Sequence, residues 1–267
     1  MIHGDVIRDD GLTQLQRADS AAVITLIDVA RRNAFSLEMS RSLAAGVREA
    51  TADDAIRAVV VTARPPVFCA GGSLDDLLSP RAALTEVYEG FDALRNAAVP
   101  TIAAVAGPVI GAGVNIPLAC DLVIVGESAR FDPRFLDLGI HPGGGHLWQL
   151  DRTVGRQAAA ALVIFGEVWS GAEAAARGLA YRCVPDDELL PTALRLAARV
   201  ADRPRELTER TKRTLALSAQ LPTVEDAIQV ELSAQEWSMQ TPEFAARVAA
   251  ARERIAVGRQ ARATRPS

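Results

Sequence analysis

Three cysteines in 267 residues, Cys69, Cys120 and Cys183, are too few and too odd in number for a disulfide framework. Each sits in an apolar context, so buried thiols in a reducing cytoplasm are expected. Three histidines without ligand spacing make no case for a metal. No apolar run reaches the roughly 18 residues of a membrane span. Residues 1–10 carry neither a basic segment nor the apolar stretch of a secretory signal, so none is expected. Charge of one sign is missing too. The net charge is −4, with both signs interspersed, and this lacks the footprint of a nucleic-acid binder. Low-complexity segments and repeats of 20–50 residues are absent. What is abundant is apolar: 49% of the chain, enough for a sizeable core. The length suits one large domain, or one domain with an appendage.

The apolar residues are patterned. Leu12–Arg17 and Ala22–Ile27 read as an N-terminal hairpin. Ser36 is a plausible cap for a helix with Met39, Leu43, Val47 and Ala50 on one face. Ala58–Thr62, Thr101–Val105 and Asp121–Val125 read as buried strands. Residues 81–97 read as one helix, and a short helix is expected after Gly111. This alternation predicts an α/β layer arrangement with crossovers. Residues 146–178 and 186–257 read as mostly helical, broken by Gly178, Pro185, Pro204, Pro222 and Pro242. The expected division is an α/β core over 1–200 and a helical C-terminal region over 201–267, with a frayed polar tail at 258–267.

Two segments carry chemistry. Residues 66–75 read Pro-Val-Phe-Cys-Ala-Gly-Gly-Ser-Leu-Asp, and residues 107–121 hold Gly-Pro-Val-Ile-Gly-Ala-Gly-Val-Asn. Each is a small-residue turn after a buried strand. Gly and Ala leave backbone N–H groups uncovered, so another molecule can approach. Two such groups converging on one point would hold charge developing on a carbonyl oxygen.

These segments, about 40 residues apart, resemble the crotonase (enoyl-CoA hydratase/isomerase) superfamily. The resemblance begins at Arg31-Arg32-Asn33-Ala34-Phe35-Ser36. It continues through Gly155-Arg156 and Ser170–Leu179 to Val184-Pro185, and covers roughly residues 12–255. It implies a spiral of ββα units, a CoA-thioester ligand, no cofactor beyond coenzyme A as part of the substrate, and a trimer or dimer of trimers. Carried over by position, Gly72 and Ala112 donate the two oxyanion-hole N–H groups. Ala70, Gly71, Ser73 and Leu74 line the adenine and pantetheine path beside Ala34, and Gly111 belongs to the same substrate-binding set. Ser73 stands where the family more often has an acid.

The resemblance also implies two catalytic glutamates in hydratases. Their positions fall here on Asn115, by the spacing to Asp121, and on Phe135, four residues after Phe131. An amide cannot exchange a proton at neutral pH, and a phenyl ring cannot hold a water. Three replacements stand open. Asp137 shares a face with Phe135 if the segment is extended, and otherwise reads as a turn or salt-bridge residue. His141 reads equally as pocket-lining or exposed. His146 reads as the start of a helix, with a titrating role as the alternative. Asp75-Asp76 and Asp186-Asp187-Glu188 read as helix N-terminal acids. Trp148, Trp169 and Trp237 read as core or subunit contacts. Ala245, Val248, Ala249 and Arg252 form a stripe suited to packing on a neighbouring subunit.

Two functions follow. One is an acyl-CoA lyase or isomerase of this superfamily that stabilises a thioester enolate, with ordinary hydration weak or absent. The other is a non-catalytic acyl-CoA-binding or assembly subunit.

Overall fold

A computed structural model of the chain describes residues 4–263; residues 1–3 and the last four positions of the tail lie outside the described residues. The described residues divide between Asp202 and Arg203 into two compact units.

The first unit is built on two sheets. In chain order its strands are β1 (Val6–Asp9), β2 (Thr13–Ala18), β3 (Ala21–Leu26), β4 (Ala58–Ala63), β5 (Thr101–Val105), β6 (Pro108–Ile110), β7 (Leu122–Gly126), β8 (Arg130–Asp132), β9 (Trp169–Ser170) and β10 (Arg182–Val184). The larger sheet has the order β1-β2-β3-β4-β5-β7-β10, and the smaller has the order β6-β8-β9. The β1-β2-β3 meander is antiparallel, and every pairing from β3 onward in the larger sheet is parallel.

Strand β4 shows why these strands read as unbroken apolar runs. Val59 and Val61 face one core, with Met39, Leu43 and Val47 of the helix Leu37–Ala52. Ala58 and Val60 face the other, with Leu189, Ala193 and Ala197 of the helix Asp186–Ala198. A strand covered on both faces needs no polar alternation. Ser36 caps the first of these helices, its Oγ accepting the Met39 N–H at 3.1 Å. The acids Asp186, Asp187 and Glu188 occupy the first turn of the second.

Two expectations need correction. Residues 81–97 form two short helices, Leu84–Val87 and Glu89–Arg95. The second starts afresh because Gly90 donates its N–H to the buried Ser40 Oγ at 2.8 Å, and not to the turn before it. Only Cys69 of the thiols is buried; Cys120 and Cys183 are half-buried. Cys183 lies on β10, the last strand of its sheet, and Cys120 in the turn before β7. Of the tryptophans, Trp169 is core, and Trp148 is half exposed on this chain with Arg152 stacked 3.9 Å from its ring centre.

The second unit holds the helices Arg205–Ser218, Val224–Met239 and Pro242–Ala263. Breaks fall at Pro204, Pro222 and Pro242, where a proline ends or opens a helix. The last helix runs past Gly258, where the sequence suggests fraying. Its Ala245, Ala249 and Arg252 are exposed on this chain and Val248 is half-buried. Among the described residues no helix is long and apolar enough to cross a membrane.

Candidate active site

The two small-residue turns are locked together in register. Cys69 and Val109 form a parallel bridge, with the Ile110 N–H donated to the Cys69 carbonyl at 2.9 Å. Counting three residues on from each bridge partner reaches Gly72 and Ala112. Glycine is required where the turns touch. A Cβ on Gly71, whose φ is +96°, would stand 3.0 Å from the Ile110 carbonyl oxygen. One on Gly113 would stand 2.8 Å from the Cys69 Cβ. Burial between these turns pushes the Cys69 thiol up to about 12, so it is no nucleophile at neutral pH.

Gly72 also bridges Phe35, through the Phe35 N–H to the Gly71 carbonyl (2.7 Å) and the Ser73 N–H to the Phe35 carbonyl (3.1 Å). A parallel bridge of this kind uses the neighbours' groups and leaves the N–H of Gly72 directed away from Phe35. Ala112 is the second residue of a 3-10 turn, Gly111–Val114, where the N–H has no acceptor within its own turn. Ser73 caps the short helix Leu74–Leu78, its Oγ accepting the Asp76 N–H at 3.3 Å.

Both turns open on one cavity of about 590 Å³. Residues 70–74 line it from the first turn, and Gly111, Ala112 and Asn115 from the second. Phe135 and His141 line it from the segment that follows β8. Much of the rest is apolar, including Phe35, Leu77, Val87, Phe91 and Ile140. Among the described residues the one carboxylate lining the cavity is Asp76. Burial opposes its ionisation, but Arg81 and the N–H of Leu37 bind the carboxylate and hold its pKa below the ordinary value.

Two expected residues fall elsewhere. Ala34 does not line the cavity, although its neighbours Arg32 and Phe35 do. Asp137 is exposed and outside the lining, because Leu136–Leu138 is a 3-10 turn and not an extended segment. Residues 135 and 137 therefore do not share a face. His141 is exposed at the cavity wall, with Nδ1 2.8 Å from the Pro142 carbonyl oxygen.

The sequence reading missed the importance of His146. It opens the helix His146–Val154 yet is only 1% exposed. Its Nδ1 lies 2.8 Å from Asn115 Oδ1, and its ring meets Phe135 edge-on with centres 4.9 Å apart. One histidine thus touches both residues that stand at the expected acid positions. Asn115 Nδ2 donates to the Gly143 carbonyl at 3.1 Å, which turns Oδ1 toward the ring. That network assigns the proton to Nδ1. Nε2 is buried without a hydrogen-bond partner. No local pattern in the sequence marks this pair, whose members are 31 residues apart.

Burial lowers the His146 pKa to about 4. The native chain keeps the ring neutral while an unfolded chain takes a proton near pH 6.5. The associated stability is therefore complete above about pH 6.5 and falls as pH drops toward 4, by about 3 kcal/mol in all. Urea unfolding at pH 7 and pH 4.5 should show this loss, and His146→Leu should flatten the slope. A slope unchanged by that substitution would refute the assignment.

Comparison with known proteins shows the family. The family described as "Enoyl-CoA hydratase/isomerase" matches residues 16–254. A probable enoyl-CoA hydratase of Mycobacterium tuberculosis, EchA14, is 43% identical over 245 residues, covering 87% of this chain and 94% of that protein. The 2,3-dehydroadipyl-CoA hydratase of Escherichia coli is 33% identical, covering 70% of this chain and 74% of that one. The solved enoyl-CoA hydratase of Bacillus anthracis superposes with a TM-score of 0.86 at 25% identity, over 91% of this chain and 96% of that one. With its paired small-residue turns, its layered α/β unit and these relatives, the chain belongs to the enoyl-CoA hydratase/isomerase family.

Proposed function

We propose that this chain is an acyl-CoA-processing enzyme that holds a thioester oxygen between the Gly72 and Ala112 amides, with ordinary hydration weak or absent. The observation that carries the reading is the Cys69–Val109 bridge, which brings two amides without local acceptors to one cavity. Donors fixed in this way stabilise an enolate oxygen without reorganising as charge develops. The mostly apolar wall suits an apolar acyl group. By the spacing read from the sequence, Asn115 and Phe135 fall where hydratases of this family carry acids, which favours a different acid–base set and chemistry such as isomerisation, decarboxylation or C–C cleavage. The hydratase names belong to the relatives; this reading rests on the chain's own residues.

Asp76, the one carboxylate lining the cavity among the described residues, is held by Arg81 and the Leu37 N–H. That favours a second reading, a non-catalytic acyl-CoA binder or assembly subunit. Under either reading we place the chain in a homotrimer or dimer of trimers, with the exposed stripe of the last helix as a subunit contact, and in the cytoplasm.

Calorimetry tests the shared part. A medium-chain acyl-CoA should bind, and the corresponding free acid should bind much more weakly. No heat at high micromolar ligand from a folded sample would overturn the site. Turnover of any acyl-CoA would then separate enzyme from binder.

A further inference from the structure

His146 stands one side chain behind the cavity. It does not line the space itself, but Asn115 and Phe135, which do, are both in contact with its ring. The ring is oriented as a proton acceptor is oriented. Its Nδ1–H is engaged by Asn115 Oδ1, which fixes the tautomer and leaves the lone pair on Nε2. Nε2 is buried and accepts no hydrogen bond. Packing alone does not account for such an atom. An apolar side chain of similar size would fill the space without the cost of an unpaired polar group. Burial lowers the ring's pKa to about 4, so the lone pair is free at neutral pH.

Phe135 covers that ring, and it is thinly anchored. It is the single buried residue of an otherwise exposed turn: Arg134, Leu136, Asp137, Leu138 and Gly139 are all exposed. The turn satisfies its backbone from within. The Leu138 and Ile140 N–H groups donate to the Phe135 carbonyl at 3.2 and 3.1 Å, and the Gly139 N–H donates to the Leu136 carbonyl at 3.0 Å. Gly139, with φ of +67°, has open space around it. What docks on the protein is therefore one phenyl ring carried by a self-contained turn. Few apolar contacts and hydrogen bonds closed within the segment make local opening cheap. Turning the ring outward joins His146 to the cavity and leaves the sheets untouched.

We propose that His146 is the proton-transfer residue for the bound acyl thioester, with Phe135 as its displaceable cover. This rests on the acyl-thioester reading above. With Phe135 turned aside, Nε2 takes a proton from the α-carbon. The C–H electron pair becomes a double bond between the α-carbon and the carbonyl carbon, and the carbonyl pair moves to the oxygen held by the Gly72 and Ala112 amides. Return of a proton from the imidazolium to carbon restores the neutral ring, so no further reactant is consumed.

Hydrogen exchange in heavy water tests the proposal, with hexanoyl-CoA as the probe. Its α-hydrogens should be replaced by deuterium when the protein is present, as followed by NMR. His146→Gln keeps an N–H for Asn115 but has no basic nitrogen, and it should slow this exchange by at least about 10²-fold. If hexanoyl-CoA binds by calorimetry and its α-hydrogens stay in place, the proton-transfer role is overturned and the acyl-CoA site stands. If the exchange survives His146→Gln and is lost in His141→Ala, His141 is the base and the proposal falls. No binding by a folded sample overturns the site itself, and the proposal with it. The cover is tested separately, without the glutamine variant. Diethyl pyrocarbonate acylates unprotonated imidazole, and tandem mass spectrometry distinguishes His146 from the exposed His141, the reference within each sample. In Phe135→Ala, His146 should react at least about tenfold faster, relative to His141, than in wild type, because a covered ring reacts only through local opening. An unchanged ratio would overturn Phe135 as the cover.

Discussion

Hydration of crotonyl-CoA by this chain is expected to run at least about 10³-fold below that of a relative carrying both glutamates, given the weight of a positioned acid–base group. The reason lies in how each candidate is held. The Asn115 amide is engaged at both ends, by His146 and by the Gly143 carbonyl, and its protons are not acidic enough to transfer at neutral pH. Phe135 is buried against the His146 ring, so no water can stand in its place. Asp76, the cavity's carboxylate, is bound to Arg81 and the Leu37 N–H. Asn115→Glu together with Phe135→Glu should raise hydration, because both positions face the cavity. The first of these carboxylates would meet the His146 N–H, which favours its ionised form. Coupled spectrophotometric assays of wild type and the double variant decide the matter. Efficient wild-type hydration would sink the claim. It would also direct attention to His141, which lines the cavity, and away from Asp137, which does not.

The second large effect concerns a backbone atom. Gly72→Pro should lower turnover of any accepted acyl-CoA by about 10²–10³, the usual effect of deleting one oxyanion donor. Gly72→Ala is the matched control. A Cβ there would meet only Leu77 Cδ1, at 3.6 Å, an ordinary contact. Alanine keeps the N–H and should stay near wild type. The pair separates the donor from the side chain. If both variants lose activity equally, the N–H of Gly72 is not the active group. The proline variant's folding is checked by its thermal transition, since Phe35 bridges the same residue.

What the sequence made legible follows the range of the forces involved. The strands, the Ser36 cap and the small-residue turns are short-range features, written in periodicity and in residues with special backbone freedom. Proline breaks in the C-terminal helices belong with them. What was not legible depends on partners distant in the chain. The interruption at Gly90 is set by Ser40, fifty residues earlier. The orientation of Asn115 is set by a histidine that reads, locally, as an ordinary helix start. Tyr88 enters the cavity because two glycines, 143 and 144, leave room for it. Which of its two readings Asp137 would take also depended on one 3-10 turn, Leu136–Leu138, which settles which side chains face together.

The Cys69–Val109 bridge has a consequence for how this chain tolerates hereditary change. The two proposed oxyanion donors are main-chain atoms, so most single-base substitutions at codons 72 and 112 leave them in place. What the site cannot absorb is a change of length. Deleting or inserting one residue between Cys69 and Gly72, or between Val109 and Ala112, shifts one amide out of step with the other while every side-chain type survives. Saturation libraries should therefore find positions 72 and 112 permissive to small residues while Gly71 and Gly113 stay glycine, and libraries of single-codon indels should find both loops closed.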